Sequence, residues 1–284
     1  MTADFAVLMP LWRGDRPDRF LAAARSATVE QTLRPDLLIL AIDGPIGPEL
    51  EGVVARIEAG ELGPAEVRHH ARHRGLSAVL QDGLEHAPAE LVARADADDL
   101  CRPERFARQI PTIAEGGLDL LGCALQEFSD SVPRGTGPLR ERPVRHDDIV
   151  RYLPAHSPFH HPTVVMRRSV ALAAGGYRDL PHLEDYWLWE RMILAGARCG
   201  NLPDVLVDYR VDADLFGRRG GWGMLESEVR LQRIFRADRV TTRAQMLRNL
   251  LVRGGYRLVP GGVRRVMYRG LVESVLRGGR GSLG

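Results

Sequence analysis

The sequence predicts an α/β domain built on a mainly parallel sheet. Short apolar runs alternate with longer segments that carry apolar residues at helical spacing, which is the pattern of strands joined by crossover helices. The chain has 284 residues, of which 44% are hydrophobic, so it can bury the core of one large or two small domains. Three of the apolar runs lead into a Pro or an Asp, the residues from which a ligand site is inferred below.

The N-terminal part of the chain contains four predicted strands with three helices between them. In order they are the strand FAVLMP, the helix RPDRFLAAARSATVEQTL, the strand PDLLILAIDG, a helix over residues 48–59, the strand AEVRHH, the helix GLSAVLQDGLEHA and the strand AELVARADAD. In an open α/β sheet the ligand crevice lies beyond the carboxyl ends of the strands. Pro10, Asp43 and the acids after the fourth strand are therefore expected to face one crevice.

Beyond residue 115 the pattern is less regular. In order it gives the strand DLLGCALQEFS, the Pro-, Gly- and Arg-rich loop SVPRGTGPLRERP, the helix HDDIVRYLPA, the strand HPTVVMRRS running into a helix, the helix EDYWLWERMILAG closed by Gly196, and the strand DVLVDYRV. The loop is interpreted as a mobile flap or an insertion. We predict one domain over residues 1–214 and a basic helical extension over residues 215–284.

Composition excludes several classes of protein. No run approaches the roughly 18 apolar residues of a membrane span, and the N-terminus lacks the pattern of a signal peptide, so a cytoplasmic location is expected. Cys101, Cys123 and Cys199 are far apart and lie outside any C-x-x-C spacing. They are therefore predicted to be buried free thiols rather than parts of a disulfide framework or a zinc site.

Asp96, Asp98 and Asp99 directly follow a predicted strand, at the expected ligand edge of the sheet. A D-x-D pair is weak evidence alone, and Asp212-Ala-Asp214 is a second one, in a predicted loop. Hard oxygen ligands at this density suit Mg²⁺ or Mn²⁺, which complete their coordination with phosphate oxygens and water. The alternative is that Asp98 or Asp99 caps the helix that begins near RPERFARQ, but a cap explains one acid and not three.

Several stretches together resemble the family 2 glycosyltransferases, and within that family the bacterial exopolysaccharide and capsule enzymes. The stretches are ARADADDLCRPERFARQ, SPFHHPTVVMRRSVALAAGGY and EDYWLWERMILAG, accompanied by VLMPLW, LAIDGP and RRGGW. The resemblance covers about residues 4–222. It implies the GT-A fold, a mixed sheet flanked by helices, and the transfer of a sugar from a nucleotide-diphosphate sugar, with a UDP-sugar favoured.

The resemblance also implies roles for individual residues. Asp185 matches the general base, with Glu184 as the rival for that role and a helix N-cap as the alternative for Asp185. An inverting transfer needs one such base together with a cation at the departing diphosphate. The nucleotide-sugar contacts implied are Pro10, Asp43, Arg74, Asp96, Asp98 and His161, and the Mn²⁺ or Mg²⁺ ligands implied are Asp98 and Asp99.

The chain departs from the family pattern at three positions where Asn is common, namely His73, Gln81 and His160. For Arg74 a solvated arginine, and for His161 a satisfied structural histidine, are open alternatives. How Asp96, Asp98 and Asp99 divide the ribose and metal contacts is also open. The absence of a Q-x-x-R-W motif argues against a processive synthase.

Basic residues concentrate at the C-terminus. Residues 1–212 carry 24 Arg against 32 acids, whereas residues 213–284 carry 15 Arg against 5 acids. The segment PGGVRRVMYRGLVESVLRGG places Val263, Met267, Leu271 and Val275 at i, i+4 spacing, as in a basic amphipathic helix. Such a helix could bind the anionic inner face of the plasma membrane, where the family's lipid-linked oligosaccharide acceptors lie. The alternative is a helical cap packed on the domain.

Parts of the sequence also suggest two other functions. A nucleotidyltransferase also places acids and Mg²⁺ at strand ends, but it usually carries a Gly-rich, basic loop after the first strand, which MPLWRGDRPD poorly matches. The Arg-rich C-terminus could belong to a nucleic-acid binder. We expect no nucleic-acid partner, because acids crowd residues 1–212 and no basic surface motif interleaved with aromatic residues is present.

Overall fold

A computed structural model describes residues 4–211 and 222–255 of the chain. Over these residues nine strands form one mixed sheet. The strands are β1 Phe5–Leu11, β2 Leu37–Ile42, β3 Ala65–His69, β4 Leu91–Arg94, β5 Leu100–Cys101, β6 Leu120–Phe128, β7 Leu139–Arg140, β8 Val165–Arg167 and β9 Cys199–Arg210. The helices are α1 Pro17–Ser26, α2 Pro48–Glu58, α3 Leu76–His86, α4 Arg105–Glu115, α5 His146–Tyr152, α6 Arg168–Ala173, α7 Glu184–Leu194, α8 Trp222–Ala237 and α9 Arg243–Asn249.

The order of the strands brings the predicted site to one edge of the sheet. Neighbouring strands run β3-β2-β1-β4-β8-β6-β9-β5, and β7 pairs with β6. The first four are parallel, β8 is antiparallel to both of its neighbours, and β6 and β9 are parallel to each other. Strands β1, β2, β4, β6 and β9 therefore all point their carboxyl ends toward the same edge, and the predicted mixed, mainly parallel sheet is confirmed.

Two apolar layers cover the faces of the sheet, because successive side chains of a strand point to opposite sides. On one face Val7 and Met9 pack in a cluster with Phe20 of α1 and Phe106 of α4. On the other face Leu8 belongs to a cluster formed with α3, α6 and α7. Helix α3 approaches β1 closely at Gly83, where an added Cβ would lie 2.3 Å from a methyl carbon of Leu8.

Helix α8 packs against α7, and α9 packs against α8. Tyr186 of α7 and Phe235 of α8 meet edge to face, with ring centroids 5.1 Å apart, within a third apolar cluster. A π-helical turn, Leu250–Gly254, follows α9, and Arg253 in it forms an ion pair of 3.1 Å with the buried Glu228 of α8. Helices α8 and α9 lie within residues 215–284, whereas the amphipathic segment from Val263 to Val275 lies outside the described residues.

Some predicted boundaries differ from the structure. Helix α1 ends at Ser26 although the pattern continued to Leu33, because the hydroxyl groups of Ser26 and Thr28 donate hydrogen bonds to carbonyls of the preceding turn. The two-residue strands β5 and β7 were not predicted, and β7 lies inside the loop interpreted as a flap or insertion. All three cysteines are buried and free, as predicted. Within residues 4–211 and 222–255, no helix combines the length and apolar character needed to cross a bilayer.

Candidate active site

Asp43 lies just beyond β2 and holds the loop that leads into α3. Its carboxylate accepts hydrogen bonds from the backbone N–H groups of Arg74, at 2.6 Å, and Gly75, at 3.0 Å, and contacts the His73 ring at 2.8 Å. Gly44 has φ +82°, and an added Cβ would lie 2.6 Å from the backbone nitrogen of His73. The side chain of Arg74 is exposed, with a nitrogen 3.3 Å from Nδ1 of His70. Asp43 therefore shapes the mouth of the crevice through the backbone that it binds.

Pro10 lies within β1, opposite Ala41 of β2. A proline is tolerated in this central strand because the ladder with β4 ends at Leu8, which pairs with Arg94. Pro10 is half-buried, and the chain reaches the edge of the sheet one residue later. The structure thus brings Pro10 and Asp43 to the same edge, as predicted.

Residues 95–99, which we call the acid loop, connect β4 to the short strand β5. Asp99 is buried, and its Oδ1 accepts a 2.8 Å hydrogen bond from the backbone N–H of Arg210, while its Oδ2 has no hydrogen-bond partner among the described residues. Burial, followed by the negative charges of Asp96 and Asp98, raises the pKa of the Asp99 carboxyl well above its usual value. The helix-cap alternative is wrong, because α4 begins at Arg105 with Glu104 at its N-cap.

Asp15 is a member of this acidic cluster that the sequence analysis missed. It lies in the turn after β1, half-buried, and its Oδ2 accepts a 2.9 Å hydrogen bond from the backbone N–H of Trp12. Burial raises the pKa of Asp15 to about 7, and the charges of Asp98 and Asp96 contribute to the shift. The signal was present in MPLWRGD, where an acid follows the first strand by four residues.

Arg94, the last residue of β4, is a second missed residue and is almost completely buried. Its guanidinium group forms an ion pair with Asp96 and donates to the carbonyl of Ala95, while its Nε has no hydrogen-bond partner within the described part of the chain. Its positive charge lowers the pKa of Asp185 and of Glu184 against the effect of burial. Arg94 thus interacts with both the acid loop and the start of α7.

Asp185 and Glu184 begin α7, and they differ in burial. Glu184 is 5% exposed, and burial followed by the charge of Asp185 raises its pKa to about 8. Asp185 is half-buried, and burial raises its pKa to about 6, while a 2.6 Å hydrogen bond from the backbone N–H of Tyr186 opposes the shift. The charge of Asp96 raises the pKa of Asp185 as well, so the two carboxylates are close enough to interact electrostatically. Leu183 is the N-cap of α7, so the N-cap position is not that of Asp185.

His161 lies in a 3-10 turn, His161–Thr163, before β8. Its Nε2 is 2.9 Å from the hydroxyl oxygen of Tyr177 in the GGY segment. Burial, and then the charge of Arg94, lowers the pKa of His161 well below its usual value, so the ring is neutral at physiological pH. A neutral imidazole can exchange a hydrogen bond with a phosphate but offers it no positive charge.

The chemistry of the acid loop fits a divalent cation. Asp99 has a buried oxygen without a hydrogen-bond partner among the described residues, and burial, with a smaller contribution from the charges of Asp96 and Asp98, raises the pKa of both Asp15 and Asp99. In residues 4–211 and 222–255 no group of three or more His, Cys, Asp or Glu side chains is arranged to hold a metal ion. Mg²⁺ typically needs only one or two carboxylates when substrate phosphates and water supply the other ligands. Asp98 and Asp99 are the residues that would hold it.

Comparison with known proteins finds similarity to glycosyltransferases. The family model described as "Glycosyl transferase family 2" matches residues 16–175. The amylovoran biosynthesis glycosyltransferase AmsE of Erwinia amylovora is 34% identical over 265 residues, which are 93% of this chain and 97% of AmsE. The UDP-Gal:alpha-D-GlcNAc-diphosphoundecaprenol beta-1,3-galactosyltransferase of Escherichia coli is 30% identical over 282 residues, which are 97% of this chain and 98% of that protein.

Solved structures with lower sequence identity share the fold. Staphylococcus aureus TarS 1-349 in complex with UDP-GlcNAc has a TM-score of 0.64 at 15% identity, covering 88% of this chain and 72% of that one. The Pyrobaculum calidifontis mannosyltransferase PcManGT, in complex with GDP-Man and Mn²⁺, has a TM-score of 0.58 at 16% identity, covering 99% and 80%. At these identities the likeness concerns the fold alone.

Proposed function

The chain belongs to glycosyltransferase family 2 and has the GT-A fold, and from that premise we propose that it is an inverting, metal-dependent enzyme of polysaccharide biosynthesis. It would move a sugar from a nucleotide-diphosphate sugar to a glycan or lipid-linked acceptor. The observation that carries the proposal is that Asp185, a half-buried carboxylate with a raised pKa at the start of α7, interacts electrostatically with Asp96 of the acid loop. Family membership decides against the nucleotidyltransferase alternative.

The names of the relatives support a class of donor and of acceptor. The E. coli relative is named for UDP-Gal and for a GlcNAc-diphosphoundecaprenol acceptor, and its similarity extends over 97% of this chain. We therefore favour a UDP-sugar donor and an acceptor linked to a polyprenyl diphosphate. The solved mannosyltransferase structure contains GDP-Man, so GDP is the nucleotide to test against UDP.

Asp185 is assigned as the general base. Its carboxylate would take the proton of the acceptor hydroxyl while that oxygen bonds to the anomeric carbon and the bond from this carbon to the diphosphate oxygen breaks on the opposite face. A base works best with a pKa near the working pH, and the pKa of Asp185 is about 6. Glu184 is the weaker candidate because it is more deeply buried and its pKa of about 8 leaves it mostly protonated at pH 7.

The donor contacts follow from the arrangement of the crevice. Asp98 and Asp99 would hold Mn²⁺ or Mg²⁺, and a bound cation would neutralise the charge that develops on the departing diphosphate. Asp96, fixed by Arg94, is assigned to the ribose, and His161 to a hydrogen bond with the diphosphate. Pro10, Asp43 and Arg74 would form the nucleotide end of the crevice, with Asp43 acting through the loop backbone that it holds.

Contact with an anionic membrane surface is proposed for the C-terminal helices. Leu247, Leu251 and Val252 are 58%, 69% and 67% exposed on α9 and the π-helical turn, and the exposed Arg243 and Arg248 lie beside them. Exposed apolar side chains next to arginines suit the interface of a bilayer that contains anionic lipid. Co-sedimentation with vesicles of phosphatidylglycerol, but not of phosphatidylcholine alone, would support this contact, and equal partitioning with both would contradict it.

The experiment that tests the proposal measures transfer by the purified full chain. UDP-sugars and GDP-mannose are offered as donors with a synthetic sugar-diphosphate-lipid acceptor, in Mn²⁺ or in EDTA. We expect metal-dependent transfer that Asp185→Asn lowers by about 10²- to 10⁴-fold while UDP binding persists. The matched control is Asp147→Asn, which removes an exposed acid from the first turn of α5. Full activity of Asp185→Asn, or full transfer in EDTA, would contradict the assigned mechanism.

A further inference from the structure

Two arginines, one of which binds the acid loop, contact the same exposed carboxylate. Asp130, in the loop after β6, lies 3.2 Å from a guanidinium nitrogen of Arg19 on α1 and 3.2 Å from one of Arg210 at the end of β9. The arginine side chains are only 13% and 12% exposed, whereas Asp130 is 76% exposed. The two arginine side chains are therefore largely buried, whereas the Asp130 carboxylate is exposed at the surface.

Arg210 is fixed by the acid loop itself. Its backbone N–H donates to Oδ1 of Asp99 at 2.8 Å, and its Nε donates to the carbonyl oxygen of Asp98 at 3.2 Å. The guanidinium carbon lies 4.4 Å from the centre of the Phe128 ring, which supports the group from one side. These contacts hold the guanidinium next to the proposed metal ligands and leave a terminal nitrogen directed at Asp130.

Asp130 is held less firmly. The turn that carries it is closed by hydrogen bonds between the backbones of Ser129 and Val132, and exposed ion pairs contribute little to stability. Farther along the same loop, Arg134 is anchored by a 2.7 Å ion pair to the buried Asp208. The exposed side chain of Asp130 can therefore turn away from the arginines while the backbone turn and the Arg134 anchor stay in place.

We propose that Arg19 and Arg210 form a subsite for the diphosphate of the donor, and that Asp130 occupies this subsite until the nucleotide displaces it. Arginine binds phosphate and carboxylate oxygens through the same planar set of N–H donors, so a carboxylate is a natural internal substitute for a phosphate. The subsite adjoins Asp98 and Asp99, where a metal-bound diphosphate would lie. The inference rests on the proposed function, and it adds a competition between the protein's own loop and the donor.

This competition has a measurable consequence. If Asp130 occupies the subsite in most free molecules, the observed dissociation constant of the nucleotide equals the intrinsic constant divided by the fraction of molecules whose subsite is free. Neutralising Asp130 should therefore tighten nucleotide binding, although it removes two ion pairs from the folded chain. A purely structural role for Asp130 predicts lower stability and unchanged nucleotide affinity.

The test is isothermal titration of the full chain with UDP and with GDP, each in Mg²⁺. For the nucleotide that the wild type binds, we expect Asp130→Asn to lower the dissociation constant by roughly threefold to tenfold. Glu141→Gln is the matched control, because it removes one exposed acid from the same loop region without touching the arginines, and it should leave the constant unchanged.

Arginine variants complete the test. Arg210→Gln keeps the backbone N–H that binds Asp99, and we expect it to weaken nucleotide binding by about tenfold. In the Arg210→Gln background, Asp130→Asn should give much less of its gain, because the subsite is no longer intact. Arg19→Gln should weaken binding in the same direction if Arg210→Gln does not fold.

The outcomes separate two failures. If the wild type binds UDP or GDP but Asp130→Asn binds it no more tightly, the subsite inference is wrong and the proposed function stands. A gain of the same size in Glu141→Gln would also overturn the inference, because it would reflect general charge rather than displacement from a subsite. If the wild type binds neither nucleotide in Mg²⁺, the proposed function itself fails.

Discussion

Asp99 and Asp208 are two buried carboxylates at the same edge of the sheet, and they differ in what neutralises them. Asp208 of β9 is 2% exposed and accepts hydrogen bonds from Arg102 and Arg134, at 2.8 and 2.7 Å. Asp99 is 4% exposed, yet one of its oxygens has no hydrogen-bond partner in the described part of the chain. Burial of an uncompensated charge is costly. The fold therefore tolerates at Asp99 a cost that it avoids at Asp208, as expected if a bound cation neutralises the acid loop.

Substitution of Asp99 gives the largest effect expected from this comparison. Asp99→Asn removes a carboxylate that we assign to the metal, and loss of several kcal/mol of leaving-group stabilisation lowers turnover on the order of 10³-fold. The chain should remain folded, because the backbone N–H of Arg210 can donate to the new amide oxygen. Turnover at saturating Mn²⁺ and the urea midpoint measure the two effects. Unchanged turnover would show that Asp99 matters no more to catalysis than Asp208 does.

Substitution of Asp208 should have the opposite profile. Asp208→Asn leaves two arginines without their buried counterion, and we expect it to lower the free energy of unfolding by about 2–3 kcal/mol. Donor turnover per folded molecule should change little, because Asp208 is directed at Arg102 and Arg134 rather than at the crevice. Urea unfolding and a transfer assay measure the two quantities. A loss of turnover as large as that of Asp99→Asn would show that Asp208 belongs to the active site.

The sequence predicted the order of the strands and helices better than it predicted which charged side chains pair in the folded chain. Apolar runs and helical spacing are local signals, so the long strands β1, β2, β6 and β9 were all expected, although their limits shifted. The two-residue strand β5 carries too few residues for a pattern, yet it separates the acid loop from α4 and so excludes the helix-cap alternative.

The missed residues depend on contacts between distant parts of the chain. Asp15 interacts with acids of the acid loop, and Arg94 interacts with the acids of α7 as well as with its neighbour Asp96; only the folded chain brings the distant groups together. Asp208 could not be separated from Asp99 by sequence, because its partners Arg102 and Arg134 are 106 and 74 residues away. Asp43 was expected at the crevice, but the loop backbone that it binds follows from the conformation around Gly44.

The pH dependence of sugar transfer tests whether the positive charge of Arg94 lowers the pKa of the carboxyl groups around it. Asp185 must be ionised to accept a proton, so kcat/KM should fall as the pH drops through about 6, the pKa to which burial raises it. The charges of Glu184, Asp96 and Arg94 interact with that of Asp185, so the pH profile reports the titration of the coupled group. Arg94→Gln removes the positive charge that lowers the pKa of Asp185 and should move this fall to higher pH.

Arg94→Lys is the matched control for that measurement, because it keeps the charge and loses the planar guanidinium group. We expect its pH profile to stay close to that of the wild type even if its maximal rate is lower. A profile for Arg94→Gln that coincides with the wild type would show that Arg94 only packs the site.

Glu190 and Glu228 are a second pair of buried carboxylates that differ in what lies next to them, and they are far from the crevice. Their substitution should have the smallest effect. Glu228 forms an ion pair with Arg253, whereas Glu190 of α7 is buried facing Asp238, and burial raises the pKa of Glu190 to about 8. A carboxyl whose pKa is higher in the folded state than in the unfolded state binds more protons when folded. Its contribution to stability is therefore complete below about pH 4.5 and is lost as the pH rises toward 8.

Glu190→Gln should remove that loss and raise the free energy of unfolding at pH 8 by about 1–2 kcal/mol relative to the wild type, with little difference at pH 4.5. Glu228→Gln should destabilise the chain at pH 8, because it leaves Arg253 without its buried partner. Urea unfolding at the two pH values measures both effects. If the free energy of unfolding changed equally and with the same sign in both variants, an ion-pair partner would not determine how a buried acid affects stability in this fold.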